Sequence, residues 1–227
     1  MRKDKINIVY EDKDIIVVNK PSHLLTISTN NEKEKTLFHK VISYEKQKNK
    51  NNRIFIVHRL DKDTSGLVIF AKSEKIKKIL QDNWDSNVKT KGYIAVVEGI
   101  VLEETNIIKS WLKETSAFVS YSSDKPNDGK LAITKYKKMR TSKNYSLLMI
   151  NILTGRKNQI RVHMKDIGHP IIGDKKYDSK TNPLKRLGLH ANILELVHPT
   201  TNKIIKFEIE TPKEFLNMFS KKSGVIR

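Results

Sequence analysis

Asp61 stands in the segment VHRLDKDTSG, residues 57 to 66, between two apolar runs, RIFIV and LVIFA. A carboxylate presented by a turn between two strands sits at the rim of a cleft rather than loose in solvent, and there it can act as a nucleophile or a base. Most turn aspartates only bond their own backbone, and Asp63 reads as one of these. What separates Asp61 is its company. Arg161 falls on a helix whose opposite face is apolar, and a guanidinium is the natural counter-charge for a carboxylate drawn out of water. Tyr93 lies in an alternating strand with Ala95 and Val97 on its own face, so pattern alone makes it a core aromatic. Lys89 and Lys91 beside it add the option of stacking a planar ring next to cations.

Other chemistries lack their patterns. His58, His163, His169 and Asp174 are of metal-ligand type, but no H-x-x-x-H, H-E-x-x-H or tight Asp/His cluster unites them, so no metal is expected. Ser65 and His58 come without a G-x-S-x-G turn or oxyanion motif, which argues against acyl transfer. Neither G-x-G-x-x-G nor a G-K-[ST] phosphate loop occurs, so no nucleotide cofactor is expected.

The elements that must position these residues follow from hydrophobic periodicity. INIVY (6 to 10) and DIIVVNK (14 to 20) predict a hairpin ending at Pro21. Residues 36 to 48 predict a helix capped by Thr36, with Leu37, Val41, Ile42 and Tyr44 on one face. RIFIV and LVIFA predict strands around the Asp61 turn, and residues 73 to 85 a helix capped by Ser73, with Ile76, Ile79, Leu80 and Trp84 inward. Strands follow at 90 to 99 and near 117 to 121, 130 to 138 and 145 to 153. Residues 156 to 167 predict a helix with Ile160, Met164 and Ile167 inward, Lys157, Arg161 and Lys165 on another face, and Gly168 as its left-handed cap. Strands at 189 to 199 and 203 to 210 precede a short helix over 213 to 220. With no repeat or linker, the expectation is one continuous α+β domain over residues 1–227.

The 227 residues carry 44 Lys+Arg against 25 Asp+Glu, a net charge of +19. An AT-rich genome explains lysine in place of arginine but not an excess of cations over anions, so the expected partner is a polyanion, nucleic acid ahead of a membrane or acidic protein. Cysteine is absent, which excludes a disulfide scaffold and a thiol nucleophile. MRKDKINIVYEDKD alternates apolar and charged residues, unlike a signal peptide, and no apolar run is long enough to span a bilayer. The expectation is a cytoplasmic protein and, with nothing pointing to an oligomer, a monomer.

VHRLDKDTSGLVIFAKS resembles the H-R-L-D-x-x-T-S-G segment of RNA pseudouridine synthases of the RluA type, which modify ribosomal and transfer RNA. NKPSHLLTIST (19 to 29) is similar to the family's N-K-P-x-G-L segment and KGYIAVVEG (91 to 99) to K-x-Y-x-A-x-V-x-G. GRKNQIRVHMKDIGHPIIGDKKY (155 to 177) is similar to G-R-x-x-Q-I-R-V-H, and LHANILELVHP (189 to 199) to the closing L-H-A segment. These similarities keep family order from about residue 6 to residue 212. The resemblance implies a mixed, mainly antiparallel β-sheet flanked by helices, with a central active-site cleft, and an isomerase that turns uridine in rRNA or tRNA into pseudouridine without cofactor. It implies that Asp61 is the catalytic aspartate, that Tyr93 stacks on the target uracil, that Arg161 pairs with Asp61, and that Arg59 helps fill the space left by the flipped uridine. His58, Lys91, Arg156 and Lys157 are the further expected RNA contacts. His23 stands where the family usually has glycine, and Asn158 where many members have histidine. Many members also carry a small N-terminal RNA-binding module, whereas here the catalytic similarity begins at once, so RNA binding is expected of the catalytic domain itself.

Overall fold

The computed structural model describes residues 6–28 and 36–220. The first five residues, part of the stretch assessed for a leader, lie outside them, as does Thr29 of NKPSHLLTIST. Along the chain, β1 (Asn7–Glu11) and β2 (Ile15–Lys20) lead to α1 (Leu37–Lys48), β3 (Phe55–Ile56), β4 (Ser65–Ala71), α2 (Glu74–Asp82), α3 (Trp84–Asn87) and β5 (Val88–Glu98). Next come β6 (Thr105–Glu114), β7 (Ser120–Ser123), β8 (Lys130–Thr141), β9 (Tyr145–Ile152), α4 (Gln159–Asp166), β10 (Leu189–Val197), β11 (Ile204–Glu208) and α5 (Lys213–Asn217). The strands form mixed, mostly antiparallel sheet with few helices against it, as expected. The chain divides into two compact units, Met1–Tyr93 with Leu189–Ile209, and Ile94–Gly188 with Glu210–Arg227. No described helix is long and apolar enough to cross a membrane.

In the first unit the strand order is β1-β2-β4-β10-β5, with β3 on β4 and β11 on β10. β4 and β10 run parallel, while β1–β2, β2–β4, β3–β4 and β10–β11 run antiparallel. Both faces of β2 and β4 are covered, which is why they read as unbroken apolar runs instead of alternating. Ile16, Val18, Val68 and Phe70 pack with Leu37 and Val41 of α1 on one side. Ile15, Val17, Leu67 and Ile69 pack with Ile76 and Leu80 of α2 on the other. Both expected caps are present: Thr36 Oγ1 accepts from the His39 N–H at 3.1 Å and Ser73 Oγ from the Ile76 N–H at 3.2 Å. The helix expected over 73 to 85 breaks at Asn83, where α3 begins.

In the second unit the order is β5-β9-β8-β6-β7. β6 is a strand that the sequence pattern did not reveal. It pairs antiparallel with β8 from Thr105↔Lys137 to Leu112↔Lys130, yet its outward residues include Ile107 and Trp111, so the apolar–polar alternation that betrays a half-buried strand is blurred. α4 opens later than expected because Asn158 takes a left-handed conformation, φ +56°, before the first turn. It ends as expected, with Gly168 at φ +80°.

Candidate active site

Asp61 rides on the segment joining β3 to β4, and residues 20 to 26 grip that segment along its length. Lys20 is fully buried at the end of β2. Its ammonium donates to the carbonyl oxygens of Pro21 at 3.1 Å, Leu24 at 2.7 Å and, across the fold, Lys62 at 2.9 Å. Ser22 Oγ donates to the Asp63 carbonyl at 2.7 Å. Thr26 Oγ1 donates to the Leu60 carbonyl at 2.8 Å and accepts from the Leu60 N–H at 3.3 Å. The backbone is thus pinned on both sides of Asp61, at 60, 62 and 63. Such support holds a catalytic group in a defined geometry without solvent reorganisation. His23 sits in the same grip at φ +62°. That is the left-handed region in which glycine is at ease, and it accounts for the glycine usual there in the resembling family. Here the imidazole Nδ1 bonds Asp63 Oδ1 at 2.9 Å.

The far end of the segment is fixed by β10. Ser65 Oγ bonds His190 Nδ1 at 2.7 Å, and Gly66 faces Ala191 in the parallel pair. A Cβ on Gly66 would fall 2.1 Å from the Ala191 carbonyl oxygen, and its φ is +119°. Close backbone approach and backbone shape each demand glycine, which gives the T-S-G ending a physical cause.

Tyr93, partly buried, packs against the cluster that contains Leu60 and Ala191. Its phenol is pushed well above the usual range, first by burial and then by the negative charge of Asp61. The first unit therefore brings Asp61 and Tyr93 into one electrostatic neighbourhood, a carboxylate beside a neutral aromatic face. His58 is turned to a structural use: its Nε2 accepts the Ile69 N–H of β4 at 3.2 Å, and its ring lies 4.9 Å from that of Trp84. Burial, then the charge of Lys91, lowers its pKa to about 4 and keeps it neutral. Lys91 Nζ lies 3.8 Å from Asp85 Oδ1. Arg59 is exposed.

Arg161 belongs to the second unit and is held on several sides. Its Nε and Nη2 donate to the two carboxylate oxygens of Asp174, both at 2.7 Å, and its Nη1 donates to Asn158 Oδ1 at 2.9 Å. Its guanidinium carbon lies 4.8 Å from the Tyr177 ring centre. Asp174 is 2 % exposed, so this is a bidentate pair with little water about it. Asn158, the second departure from the family pattern, suits its site twice: asparagine tolerates the left-handed backbone, and its side chain steadies Arg161. Arg156 Nε donates to the Leu131 carbonyl at 2.9 Å. Lys157 pairs with Glu114 and lies 5.1 Å from the Phe118 ring centre.

The histidines considered as metal ligands in the second unit have other engagements. His163, fully buried, bonds Ser110 Oγ through Nε2 at 2.9 Å and Thr134 Oγ1 through Nδ1 at 2.8 Å, and burial lowers its pKa to about 4. His169 Nδ1 bonds the Glu98 carbonyl at 2.8 Å. Asp12, Asp14 and His198 do gather closely. Asp12, however, accepts the Asp14 and Ile15 N–H groups, the Tyr10 hydroxyl and His198 Nε2, while His198 Nδ1 accepts the N–H groups of Thr200 and Thr201. That network ties the β1–β2 turn to the end of β10.

Sequence reasoning passed over Lys20, Ser22 and Thr26 as site residues. The one signal was a lysine closing an apolar strand directly before proline. Asp174 was noticed only as a metal-type ligand, because its partner lies on another element.

With this geometry established, comparison with known proteins is informative. The RNA pseudouridylate synthase family model matches residues 14–166. An uncharacterized RNA pseudouridine synthase of Mycoplasma genitalium is 34% identical over 214 residues, 93% of this chain and 68% of that protein. The ribosomal large subunit pseudouridine synthase D of Haemophilus influenzae is 32% identical over 229 residues, 95% of this chain and 70% of that protein. Among solved structures, human RNA pseudouridylate synthase domain containing 1 superposes with a TM-score of 0.74 at 24% identity, covering 92% of this chain and 84% of that one, a likeness of fold.

Proposed function

The chain belongs to the RNA pseudouridylate synthase family, RluA type, and is an isomerase acting on RNA; from that premise we propose that it converts specific uridines of ribosomal RNA or transfer RNA to pseudouridine through Asp61. The bond from the uracil ring nitrogen to the ribose breaks, the base turns, a new bond forms from ring carbon 5, which gives up its proton to solvent, and the freed ring nitrogen takes one up, so the atoms balance. Asp61 supplies the carboxylate that acts on the nucleotide, at the ribose carbon or the ring. Tyr93 offers the face on which the extruded base stacks. Extrusion costs a few kcal/mol, offset by stacking and by phosphate contacts to the basic surface.

The observation that carries this reading is the grip on backbone positions 60, 62 and 63. A buried ammonium that reaches the Lys62 carbonyl next to Asp61 supports this reading. Arg161 is proposed as the third member of the catalytic set, supported by its place in the G-R-x-x-Q-I-R-V-H segment and its rigid mount. Arg59, His58, Lys91, Arg156 and Lys157 are proposed RNA contacts. Arg59 is the best presented of them, whereas His58 and Arg156 also brace the fold. The reading further takes both units as one catalytic domain, a monomer in the cytoplasm that needs neither metal nor cofactor. Its test is to incubate the protein with unmodified ribosomal and transfer RNA and map pseudouridine by sequencing. Site-specific conversion is expected from the native protein and none from Asp61→Ala; conversion that survives Asp61→Ala would overturn the assignment.

A further inference from the structure

In the second unit, the sheet made by β6, β8 and β9 has two unlike faces. One lies under α4: Ser110 and Thr134 bond His163, and Leu112 and Ala132 pack against Val162. Successive strand residues alternate between faces, so Ile107, Lys109 and Trp111 of β6 and Lys135 and Lys137 of β8 point to the other side. Ile107 is 58% exposed, and Leu153, just past β9 on the same face, 46%. Phe215 of α5 covers the sheet further along, against Leu147 and Ile94.

The charge on this face is unbalanced. Lys109, Lys135 and Lys137 are exposed, and none has a carboxylate partner among the described residues. Three acids of neighbouring segments are engaged with other lysines, Glu104 with Lys138, Asp128 with Lys113 and Glu114 with Lys157. Lys109 Nζ lies 5.6 Å from the Trp111 ring centre. An outward face of antiparallel sheet is ordinarily polar throughout. This one mixes uncompensated ammonium groups with an indole and exposed aliphatic side chains, the combination that holds single-stranded nucleic acid by phosphate contact and base stacking.

We propose that this face is a second RNA contact, taking a single-stranded or looped segment of the substrate other than the one that carries the target uridine, with phosphates on Lys109, Lys135 and Lys137 and a base on Trp111. It rests on the reading of the chain as an enzyme acting on RNA, and it places the contact on the opposite side of this sheet from α4 and Arg161. The charge of the face selects a polyanion over a protein partner, which would be expected to bring acids to three separate lysines.

The sequence has two tryptophans, so Trp84→Phe leaves Trp111 as the sole indole reporter. In the Asp61→Ala, Trp84→Phe protein, titration with an unmodified large-subunit ribosomal RNA transcript should quench Trp111 fluorescence. Adding Lys109→Glu, Lys135→Glu and Lys137→Glu should abolish the quench and reduce the slope of log affinity against log salt by about 2, from roughly 0.7 per lost phosphate contact. Trp111→Phe in the Asp61→Ala protein, with Trp84 kept, should weaken binding and leave that slope unchanged. An unquenched Trp111, or a salt slope indifferent to the three reversals, overturns the proposal and leaves the face to a protein partner. These are binding readouts on an inactive background, so they stand apart from the catalytic test. Normal pseudouridine formation with no quench defeats only the second contact, and quench without pseudouridine formation by the native protein defeats only the catalytic reading.

Discussion

Replacing Lys20 by methionine isolates the support beneath Asp61. The two side chains are similar in length, so the change removes a charge and its donors while leaving the volume nearly filled. Three carbonyl oxygens, of Pro21, Leu24 and Lys62, lose a donor at 2.7 to 3.1 Å. Hydrogen bonds from a charged donor contribute about 1.5–3 kcal/mol each, so the gross loss is roughly 4–9 kcal/mol. Removing the cost of burying the ammonium returns several kcal/mol, which leaves a net loss of about 2–4 kcal/mol. For a chain of this size that lowers the melting temperature by roughly 5–15 °C. Differential scanning calorimetry reads the loss, and pseudouridine formation on a fixed transcript should fall through kcat more than KM, since the displaced group is the carboxylate proposed to react. The comparison variant is Lys62→Ala. Its side chain is exposed and only its carbonyl takes part in the grip, so its stability should stay within about 0.5 kcal/mol of the native protein. A Lys20→Met protein that melts within about 2 °C of native with unchanged kcat would refute the argument, since a shift that small corresponds to about 1 kcal/mol or less.

Asp174→Asn removes the buried carboxylate that pairs with Arg161 in bidentate fashion; removal of one partner from such a pair costs about 3–5 kcal/mol, and urea denaturation should show a loss toward that range together with reduced activity. Stability should also depend on pH through His163, whose pKa in the fold is about 4 against an ordinary 6.5. The unfolded chain takes up the proton first as pH falls. Stability from this group is therefore complete above about pH 6.5, is lost between 6.5 and 4, and changes no further below that, with a limiting slope of about 1.4 kcal/mol per pH unit. His58, whose pKa is likewise lowered to about 4, adds a loss over the same window; denaturation midpoints at pH 7, 5.5 and 4.5 should trace the sum, and His163→Gln should remove the share of His163 and leave that of His58.

Local features of the sequence were legible because local physics decides them. Thr36 and Ser73 cap their helices through bonds reaching three residues on, and the unbroken apolar runs of β2 and β4 declare strands covered on both sides. The hidden features depend on partners far along the chain. A lysine reads as a solvated charge until the carbonyl of Lys62, 42 residues away, is seen to accept a hydrogen bond from it. Glu45 falls on the apolar face of α1 and is buried because Lys48 and Asn52 satisfy it. β6 escaped because its outward residues break the alternation. In the VHRLDKDTSG segment, residue type singled out Asp61, but the use of Lys62 lay in its carbonyl, which no side-chain pattern records. Gly66 has its meaning only once β10 is beside it.

That last pairing bears on the order in which the protein can be made. The first unit is discontinuous: its early part ends at Tyr93 and its closing strands begin at Leu189. While a ribosome extends the chain from the N-terminus, β4 and the segment bearing Asp61 are complete long before Ala191 exists to lie against Gly66. Until then the Ser65–Gly66 end of β4, beyond its pairing with β3, lacks its neighbour on that side, and open edges recruit stray strands. The interval, from Ala71 to Ala191, spans about 120 residues of synthesis, enough for most of the second unit to emerge and begin folding first. A nascent chain in this interval carries Asp61 on an unfinished mount, so the proposed chemistry has to wait for β10 to be translated.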